Sequence, residues 1–560
     1  MNKTCKHCDG AFRITDSDLA LIEKLSPIIT GKKELIPPPT LCPDCRQQRR
    51  LTFRNDRHLY ARKCDAIGKS IVAMYQDSTT FPVYSSEYWW SEKWNASDFQ
   101  LSWNPTESFF TQFATLLKKV PRLACSITAS ENCEFNNYCA GSKNCYMSQR
   151  VGDCEDAYYS YLPTESRSVC DCYNISECEL CYEIVDGTRC YNTHYSQNVV
   201  NCTDSQFLFN CRDCKNCCLC TNMRNQQYCF RNEKCSKEEY ERKLAEIERS
   251  NFAVVAGILD TFDQTKKTQI VPALWSSNCE NVSGNYLTEC KNAENSYDCR
   301  HCEDISYAYG HVYGNDSMDT TFNYHCSQCY DFAAGVRSQE LLFCFNILSG
   351  SSNLLYCIDC VNGSKNLFGC VSMKHAEYCI LNKQYTKEEY ERLVPQIIAK
   401  MRVGKEYGEY FPTSISPFAY NETVAQEYFP LTEDQVRKEG LRWLDSSGEK
   451  LSVSRIIRGA ELPPSIDDIP DDILNWAIEC DATKKPFRII RQELEFYRKM
   501  RLPVPRLHPD ERHRRRMALR NPRKLWKREC AKCSAAIATS YSPDRPETVY
   551  CEKCYLDAVY

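Results

Sequence analysis

Two sets of four cysteines have the residue type and the spacing of a metal site. Each set consists of two CxxC steps, separated by the segment 9–41 in the first set and by the shorter segment 534–550 in the second. The predicted ligands are Cys5, Cys8, Cys42 and Cys45, and Cys530, Cys533, Cys551 and Cys554. Two CxxC turns complete a tetrahedral thiolate shell, and four protein ligands leave no position for a reactive water. The sequence therefore predicts two structural zinc sites.

The chain as a whole has the composition of a long protein from a reducing compartment. It has 560 residues, enough for about three to five domains, and 39 cysteines. The start at Met1 shows no apolar stretch typical of a signal peptide, and no run of about 18 apolar residues predicts a membrane helix. We therefore expect metal-bound and reduced thiols instead of disulfides, a cytoplasmic location and no membrane partner.

Charge and motifs narrow the function classes. The net charge of −4 divides into +4 for residues 1–120, −12 for 121–390 and +4 for 391–560. The sequence has only 19 glycines, and it lacks GxGxxG, P-loop, HExxH and GxSxG patterns. Because no convincing catalytic constellation is present, we expect a binding protein more than an enzyme, with basic ends and an acidic middle.

The two ends of the chain are copies of one module. At a shift of 466 residues, the segment 37–84 aligns with 503–550 without a gap and with 18 identities in 48 positions. Further upstream, Cys5 and the segment 12–14 correspond to Cys480 and the segment 487–489 at a shift of 475. The alignment predicts a duplicated module with two potential metal sites in each copy.

The copies have lost opposite metal sites. The ligand positions of the second site in the first copy hold Cys64, Ile67, Ser85 and Tyr88. Those of the first site in the second copy hold Cys480, Thr483, His508 and Glu511. We interpret the latter set as a degraded site, with a weak Cys/His/Glu site as the alternative. The aromatic residues at 88–90 and 94 are interpreted as core, with stacking of nucleic-acid bases as the alternative.

An arginine stripe persists in both copies. Its successive spacings of three, one, four and three place five arginines on one face of a helix. They are Arg46, Arg49, Arg50, Arg54 and Arg57 in the first copy, and Arg512, Arg515, Arg516, Arg520 and Arg523 in the second. Arg62 and Arg528 also correspond. Because these arginines persist where half of the metal ligands are lost, we predict that they have a role of their own.

Guanidinium groups bind phosphates through paired hydrogen bonds, so the stripe indicates a nucleic-acid or ribonucleoprotein partner. Arg514, Lys524 and Lys527 add positive charge in the second copy. Two alternatives stay open, namely docking of the arginines on the acidic middle of the same chain and an acidic protein partner.

The middle of the chain, residues 120–385, has cysteines at a regular spacing. Steps of nine, or of twice nine, join Cys145, Cys154, Cys172, Cys181 and Cys190, then Cys202, Cys211, Cys220 and Cys229, then Cys290 and Cys299, and finally Cys370 and Cys379. A short fixed period is typical of a solenoid, and a period of nine suits a short strand plus a turn. Asparagine precedes many cysteines, as at Asn144 and Asn201, which indicates turns. We predict a β-solenoid with thiols stacked inside.

The middle is itself doubled. QYCFRNEKCSKEEYERKL ends at Leu244, and EYCILNKQYTKEEYERLV ends 150 residues later at Val394. Each segment predicts a helix that opens with a capping box and covers the end of a solenoid. The predicted capping pairs are Ser236 with Glu239 and Thr386 with Glu389.

Further CxxC pairs lie in the middle of the chain. They are Cys211/Cys214, Cys217/Cys220, Cys299/Cys302, Cys326/Cys329 and Cys357/Cys360, with His301 and His325 beside two of them. We interpret these pairs as thiols at the corners of a solenoid turn. The alternative is extra zinc or an iron–sulfur cluster, which would make the chain a metal-cluster redox protein.

These patterns predict a mainly β fold, with two Cys-rich β-solenoid segments capped by helices and flanked by duplicated zinc-ribbon or treble-clef-like modules. The predicted segments are an N-terminal zinc-ribbon module (1–119), a first solenoid with its capping helix (120–249), a linker (250–272), a second solenoid with its capping helix (273–402), a linker or extended segment (403–475) and a C-terminal zinc-ribbon module (476–560). The predicted function is a non-catalytic zinc-binding scaffold whose arginine helices bind nucleic acid or a ribonucleoprotein. A redox protein and a protein–protein interaction scaffold are the alternatives.

Four segments resemble one known family. CPDCRQQRRLTFRNDRHLYARKC, NLFGC followed by YCILNKQYTKEEYERL, NETVAQEYFPLT and VYCEKC are similar to sequences of large bacterial zinc-ribbon proteins with a Cys-rich repeat middle. The resemblance spans almost the whole chain. It implies a bacterial, cytoplasmic setting and brings no activity, substrate or catalytic residue.

Overall fold

The structure, a computed structural model, describes the chain except for residues 320, 325–329, 331–332, 337–338, 349 and 446–452. The chain folds into two compact units, each built from separated segments. Unit 1 comprises Met1–Cys125, Leu274–Leu444 and Arg523–Leu525. Unit 2 comprises Ser126–Ala273, Asp445–Pro522 and Trp526–Tyr560. Each unit thus contains one solenoid and most of one terminal module.

The helices are short and mostly belong to the terminal modules and the segments that follow the solenoids. They are α1 (Asp16–Leu25), α2 (Pro43–Leu51), α3 (Ser86–Trp90), α4 (Phe109–Leu117), α5 (Lys237–Ala245), α6 (Phe252–Lys267), α7 (Lys387–Val403), α8 (Val424–Tyr428), α9 (Glu433–Lys438), α10 (Arg491–Met500), α11 (Pro509–Ala518) and α12 (Glu552–Val559). Among the described residues, no helix combines the length and the apolar character needed to cross a bilayer.

The solenoid of unit 2 is a ladder of short parallel strands. Its strands are Ile127–Thr128, Asn137–Ala140, Gln149–Gly152, Glu155–Tyr158, Tyr161–Thr164, Arg167–Cys170, Tyr173–Ser176, Glu179–Thr188, Tyr191–Val200, Thr203–Phe209, Lys215–Thr221 and Gln227–Phe230, closed by the antiparallel Glu233–Lys234. Asn137 pairs with Gln149 and Glu179 with Tyr191, so successive turns of the solenoid repeat at a period of twelve.

A left-handed residue recurs at every third position of this solenoid. From Asn144 to Arg231 each third residue has a positive φ. Non-glycine residues pay roughly 1–2 kcal/mol for this conformation, and asparagine and aspartate tolerate it best. The sides of the solenoid are therefore three residues long, and the asparagines that precede cysteines, such as Asn144 and Asn201, are its corners.

The cysteines that follow the corner residues point into the solenoid and satisfy backbone carbonyls. Cys202 Sγ donates to the carbonyl of Cys211, and Cys211 Sγ donates to that of Cys220, both at 3.5 Å. One turn of the solenoid has twelve residues, and the cysteine spacing of nine covers three of its three-residue sides. The spacing of nine is therefore not one strand plus one turn. The predicted β-solenoid and its internal thiols are confirmed, whereas the predicted repeat length was wrong.

The solenoid of unit 1 repeats this architecture with less regular turns. Its strands are Ser276–Ser277, Glu280–Thr288, Lys291–Arg300, Glu303–Ser306, Tyr309–Val312, Asn315–Met318, Thr321–Tyr324, Ala333–Val336, Gln339–Leu342, Phe345–Leu348, Ser352–Leu355, Lys365–Phe368 and Glu377–Ile380, closed by Lys383–Gln384. Its period varies from eleven through twelve to thirteen, as the pairs Glu280 with Lys291, Tyr297 with Tyr309 and Ser352 with Lys365 show.

A helix covers the last turn of each solenoid, as the sequence predicts. In α7 the capping box of Thr386 and Glu389 is complete. In α5 Ser236 accepts from the amide of Glu239, but the Glu239 carboxylate pairs with Lys243 at 2.8 Å instead of closing the box. Most of the predicted linker 250–272 forms α6. The segment 403–475 likewise contains α8 and α9.

The terminal modules consist of small hairpins and short helices. Their hairpins in the first module are Asn2–Thr4 with Ala11–Arg13, Ile28–Ile29 with Lys32–Lys33 and Tyr60–Lys63 with Ser70–Ala73, and Val83–Tyr84 pairs with Arg122–Leu123. In the second module Arg455–Arg458, Trp476–Glu479 and Pro486–Phe487 form one sheet, Trp526–Glu529 pairs with Ala536–Thr539, and Ile270–Pro272 pairs with Thr548–Tyr550. This mainly β arrangement confirms the predicted fold class.

Candidate metal centres and the arginine helices

The first predicted metal site joins a hairpin to the start of a helix. Cys5 and Cys8 lie in the turn after Asn2–Thr4, where the amide of Asp9 donates to the carbonyl of Cys5 at 3.1 Å. Cys42 is the N-cap of α2, and Cys45 lies in its first turn. The Cys42 amide donates to Cys5 Sγ at 3.3 Å. Both the amide donor and the positive end of the helix favour thiolates here.

The second site has the same construction. Cys530 and Cys533 lie in the turn between Trp526–Glu529 and Ala536–Thr539, and Cys551 is the N-cap of α12. The Cys551 amide donates to Cys530 Sγ at 3.2 Å. Burial opposes ionisation of Cys530, but amide donors such as that of Cys551 outweigh it and lower the pKa of Cys530 to about 6. The amide donors thus favour the thiolate form of Cys530, whereas the hydrogen bond with Cys551 raises the pKa of Cys554 to about 12.

Both sets of sulfurs have the size of a tetrahedral thiolate shell. In each set the four Sγ atoms lie within 4.8 Å of one another. Bonds of about 2.3 Å from zinc to sulfur separate neighbouring sulfurs in a tetrahedron by about 3.8 Å. The Sγ atoms of Cys8 and Cys42 are 3.7 Å apart, and those of Cys533 and Cys551 are 3.8 Å apart. The residues therefore fit a four-coordinate metal at both predicted sites.

The two lost sites keep the fold of a metal site without its ligands. Ser85 takes the place of Cys551, caps α3 and donates its amide to Cys64 Sγ at 3.3 Å. In the other copy the amide of Thr483 donates to Cys480 Sγ at 3.4 Å. The Glu511 carboxylate is not available as a metal ligand, because it binds arginines of its own helix. Within the described chain, no third set of potential ligands is as compact as the two Cys₄ sets.

In unit 1, α2 docks two of the predicted arginines on one solenoid corner. Arg46 Nε donates to Asp319 Oδ2 at 2.5 Å, and Arg50 Nη2 lies 3.5 Å from Asp319 Oδ1. The exposed fractions of these three residues are 3%, 0% and 0%. The Arg46 guanidinium also lies 5.5 Å from the ring centre of Tyr307, whose hydroxyl lies 3.5 Å from Asp18 Oδ2 on α1.

In unit 2, α11 repeats this contact with the equivalent arginines. Arg516 Nη1 donates to Asp171 Oδ1 at 2.6 Å, and Arg512 Nη1 donates to Asp171 Oδ2. The Arg512 guanidinium lies 4.5 Å from the ring centre of Tyr159, whose hydroxyl donates to Glu493 on α10 at 2.9 Å. Asp171 and Tyr159 recur at a shift of 148 as Asp319 and Tyr307 of unit 1, so the whole contact is duplicated.

This duplicated contact changes the interpretation of the stripe. The four guanidinium groups of Arg46, Arg50, Arg512 and Arg516 are buried and bound to carboxylates of their own chain. A phosphate does not reach them in this placement, so one continuous phosphate-binding face, as predicted, is not formed. These four residues instead dock on the acidic middle of the chain, which is the alternative that the sequence left open. The sequence reasoning missed Asp171 and Asp319, although their place in the two solenoids was a detectable signal.

Most of the other predicted arginines are also engaged within their unit. Their carboxylate partners are Glu409 for Arg49, Asp56 for Arg54, Asp186 for Arg520 and Asp298 for Arg523. Arg62 and Arg528 donate to the carbonyls of Gln76 and Ser542, which are themselves equivalent positions of the two copies. Arg57 is half-buried. These contacts lie within a terminal module, or join it to a solenoid or to the segment after a solenoid in the same unit.

Two arginines of α11 differ from the rest because they are exposed. The side chains of Arg514 and Arg515 are 67% and 56% exposed. Arg514 Nε donates to the Glu511 carboxylate at 2.7 Å, and Arg515 Nε donates to it at 2.9 Å. These hydrogen bonds, above all that of Arg514, lower the pKa of Glu511 to about 2. Arg514 has no equivalent in the first copy, where Gln48 takes its place.

The aromatic cluster and the remaining cysteines have structural surroundings. Trp89 is buried, and the cluster that it forms with Trp90 and Trp94 packs on Leu123, which confirms the interpretation as core. Every described cysteine is a free thiol. Cys326, Cys329 and His325 lie outside the described residues. The other CxxC pairs donate to backbone carbonyls inside the solenoids, as Cys214 does to Arg212 and Cys299 to Tyr297.

Comparison with known proteins does not extend these observations. The two Cys₄ centres and the duplicated arginine contacts are features of the chain itself, and the resemblance to bacterial zinc-ribbon proteins stays an expectation. No protein-family model and no curated protein matches the chain.

Proposed function

We propose that the protein is a non-catalytic zinc-binding scaffold in which each zinc ion fixes a helix that docks its module on a solenoid. One observation carries the proposal: the helix that begins at the second cysteine pair of each site bears the docking side chains. In unit 1 this helix is α2, with Arg46 and Arg50 on Asp319. A closed thiolate shell has no open position for substrate, which supports a structural role.

In unit 2 the corresponding helix is α12, and its docking residue is Tyr555. The Tyr555 hydroxyl accepts from Asn210 Nδ2 and from Arg224 Nη2, the latter at 3.2 Å, and lies 3.4 Å from Asn222 Oδ1. Asn210 and Asn222 are corner residues on successive turns of the solenoid. The zinc ion orients α12, and α12 in turn fixes the module on this asparagine ladder.

Metal analysis of the purified chain tests the proposal. We expect two zinc ions per chain in the wild type. Replacing Cys8 and Cys42 by serine should leave one zinc ion per chain and should make amide exchange in α2 faster. Cys64→Ser is the matched control, because Cys64 is buried in a site of the same fold that has lost its other ligands. Zinc near two per chain in the ligand variant, or unchanged exchange in α2, would contradict the proposal.

A nucleic-acid or ribonucleoprotein partner is the second candidate, and the exposed pair Arg514 and Arg515 supports it. Salt-dependent binding to duplex DNA and to structured RNA should fall in an Arg514→Glu/Arg515→Glu variant. The control is Arg491→Glu, an exposed arginine at the start of α10 in the same module. Equal binding by both variants, or no binding by the wild type at low salt, would leave the scaffold with protein partners only.

A further inference from the structure

A cavity in unit 2 lies beside the arginine helix. It has a volume of 420 Å³ and is enclosed by a face of the solenoid, by α6, by the segment 503–507 and by α11. The volume lies within the range typical of small-molecule sites, about 300–1,000 Å³. The helix α6 lines it with apolar residues such as Phe252 and Leu259 but also with Asp260 and Asp263, and α11 contributes Arg515.

The duplication shows what the chain places at the equivalent position of unit 1. Arg49 corresponds to Arg515 in the alignment of the two modules. The Arg49 guanidinium pairs with the Glu409 carboxylate at 3.0 Å, and it lies 5.8 Å from the ring centre of the buried Tyr410. In unit 1 the Arg49 guanidinium thus contacts both a carboxylate and an aromatic ring. Their stacking and ion pairing are the preferred contacts of a guanidinium group.

In unit 2 the chain leaves that position open. Arg515 uses Nε for Glu511 on its own helix and lines the cavity. Glu511 itself occupies the position of the zinc ligand Cys45, so its pairing with Arg515 is a consequence of the lost metal site. Among the described residues, the carboxylate that pairs with Arg515 thus comes from its own helix, and no aromatic ring stacks on it as Tyr410 does on Arg49.

A second polar group faces the same cavity. Glu183 is a half-buried solenoid corner with φ of 49°, and it lines the cavity. Burial raises the pKa of Glu183 to about 7, although Arg516 and Arg512 oppose the shift. A carboxyl group accepts a hydrogen bond from a ligand hydroxyl, or donates one when it is protonated.

We propose that this cavity binds a small aromatic carboxylate, whose carboxylate pairs with Arg515 and whose ring lies on the apolar residues of α6. A hydroxyl on the ring would reach the Glu183 side of the cavity. The ligand therefore supplies in unit 2 the two groups that Glu409 and Tyr410 supply in unit 1. This binding site goes beyond the scaffold role and does not depend on it.

Isothermal titration calorimetry of the full zinc-loaded chain with 4-hydroxyphenylacetate and indole-3-acetate tests the proposal. We expect saturable binding of at least one probe, and binding of 4-hydroxyphenylacetamide at least about tenfold weaker, because the amide has no charge to pair with Arg515. Arg515→Met should weaken binding by a similar factor. Arg514→Met is the matched control, because Arg514 shares Glu511 but does not line the cavity.

A cavity-filling variant separates this site from any other. Ala256 of α6 lines the cavity and is not fully buried, so Ala256→Trp should fill the space without unfolding the helix and should abolish binding. Unchanged melting temperature confirms that the variant is folded. The proposal is overturned if neither probe binds at millimolar concentration, if acid and amide bind equally, or if Arg515→Met and Arg514→Met behave alike.

Discussion

A buried aspartate that serves two arginines is the central contact of each unit. One carboxylate faces two guanidinium groups one helical turn apart, at Asp319 in unit 1 and at Asp171 in unit 2. Taking such charges out of water is costly, so the contact gives little net stability while it is intact. Removing one partner is different, because the other charges stay buried without compensation. The arginines persist in both copies for this physical reason, and no external phosphate is needed to explain them.

Replacing Asp171 by asparagine should therefore destabilise unit 2 strongly. Asparagine keeps the size and tolerates the left-handed backbone of this corner (φ 54°), so the change removes only the charge. Arg512 and Arg516 then lose their shared carboxylate, and we expect a loss of about 3–5 kcal/mol in the free energy of unfolding. Urea denaturation followed by circular dichroism measures this change.

The matched control is Asp213→Asn on the same solenoid. Asp213 is also a left-handed corner (φ 54°), but it is exposed and accepts from Asn201 Nδ2 instead of binding an arginine. Its replacement should change the free energy of unfolding by less than about 1 kcal/mol. A loss of the same size for both variants would mean that the corner geometry matters and the buried charge does not.

At the scale of the element, the hairpin and the helix of a Cys₄ site keep their arrangement even where other residues occupy most of the ligand positions. The amide of Ser85 approaches Cys64 Sγ at 3.3 Å, as the Cys551 amide approaches Cys530 Sγ at 3.2 Å in the intact site. Trp89 of this helix is buried against Leu123, so packing holds the helix in place. The lost site therefore keeps the backbone arrangement of a metal site, with three of its four ligands missing.

Restoring those ligands should restore a metal site. We expect the triple variant Ile67→Cys, Ser85→Cys and Tyr88→Cys to bind one zinc ion more than the wild type. A variant with Ile67→Ala and Tyr88→Ala, at two of these three positions, is the control and should keep two zinc ions. Mass spectrometry under native conditions counts the bound metal. A triple variant that folds but still holds two ions would show that the hairpin and the helix are not arranged for a tetrahedral shell.

The elements also show how far sequence patterns reach. The Cys₄ sets and the mainly β solenoids follow from spacing alone, because ligand chemistry and strand repetition leave a local signature. The period of twelve was missed, since Cys202, Cys211 and Cys220 lie nine apart while their strands stack twelve apart. The partner of Arg512, 341 residues away, leaves no local signature either. The cavity beside Arg515 arises from packing of distant segments, so spacing did not reveal it.

At the scale of the whole molecule, most of the described thiols fall into two classes, those of the two Cys₄ sets and those that line the solenoids. Outside the metal sites, the described cysteines that reach the surface even in part are Cys133 and Cys279, while the solenoid thiols donate to backbone carbonyls and are buried. Burial keeps reagents away from these thiols, and desolvation disfavours the reactive thiolate form. It raises the pKa of Cys154 to about 12, whereas hydrogen bonds with Cys181 and Cys190 lower that of Cys178 to about 4.

Titration with a thiol reagent should reveal these classes in steps. The native, zinc-loaded chain should react at few thiols, a chelator should release eight more, and a denaturant should bring the total to the 39 cysteines of the sequence. In a Cys8→Ser variant the chelator step should fall from eight to four, because the three remaining ligands of that site are already free of metal and react before the chelator is added. A chelator step of eight in that variant, or fast reaction of most thiols in the native chain, would contradict both the assignment of the metal ligands and the burial of the solenoid thiols.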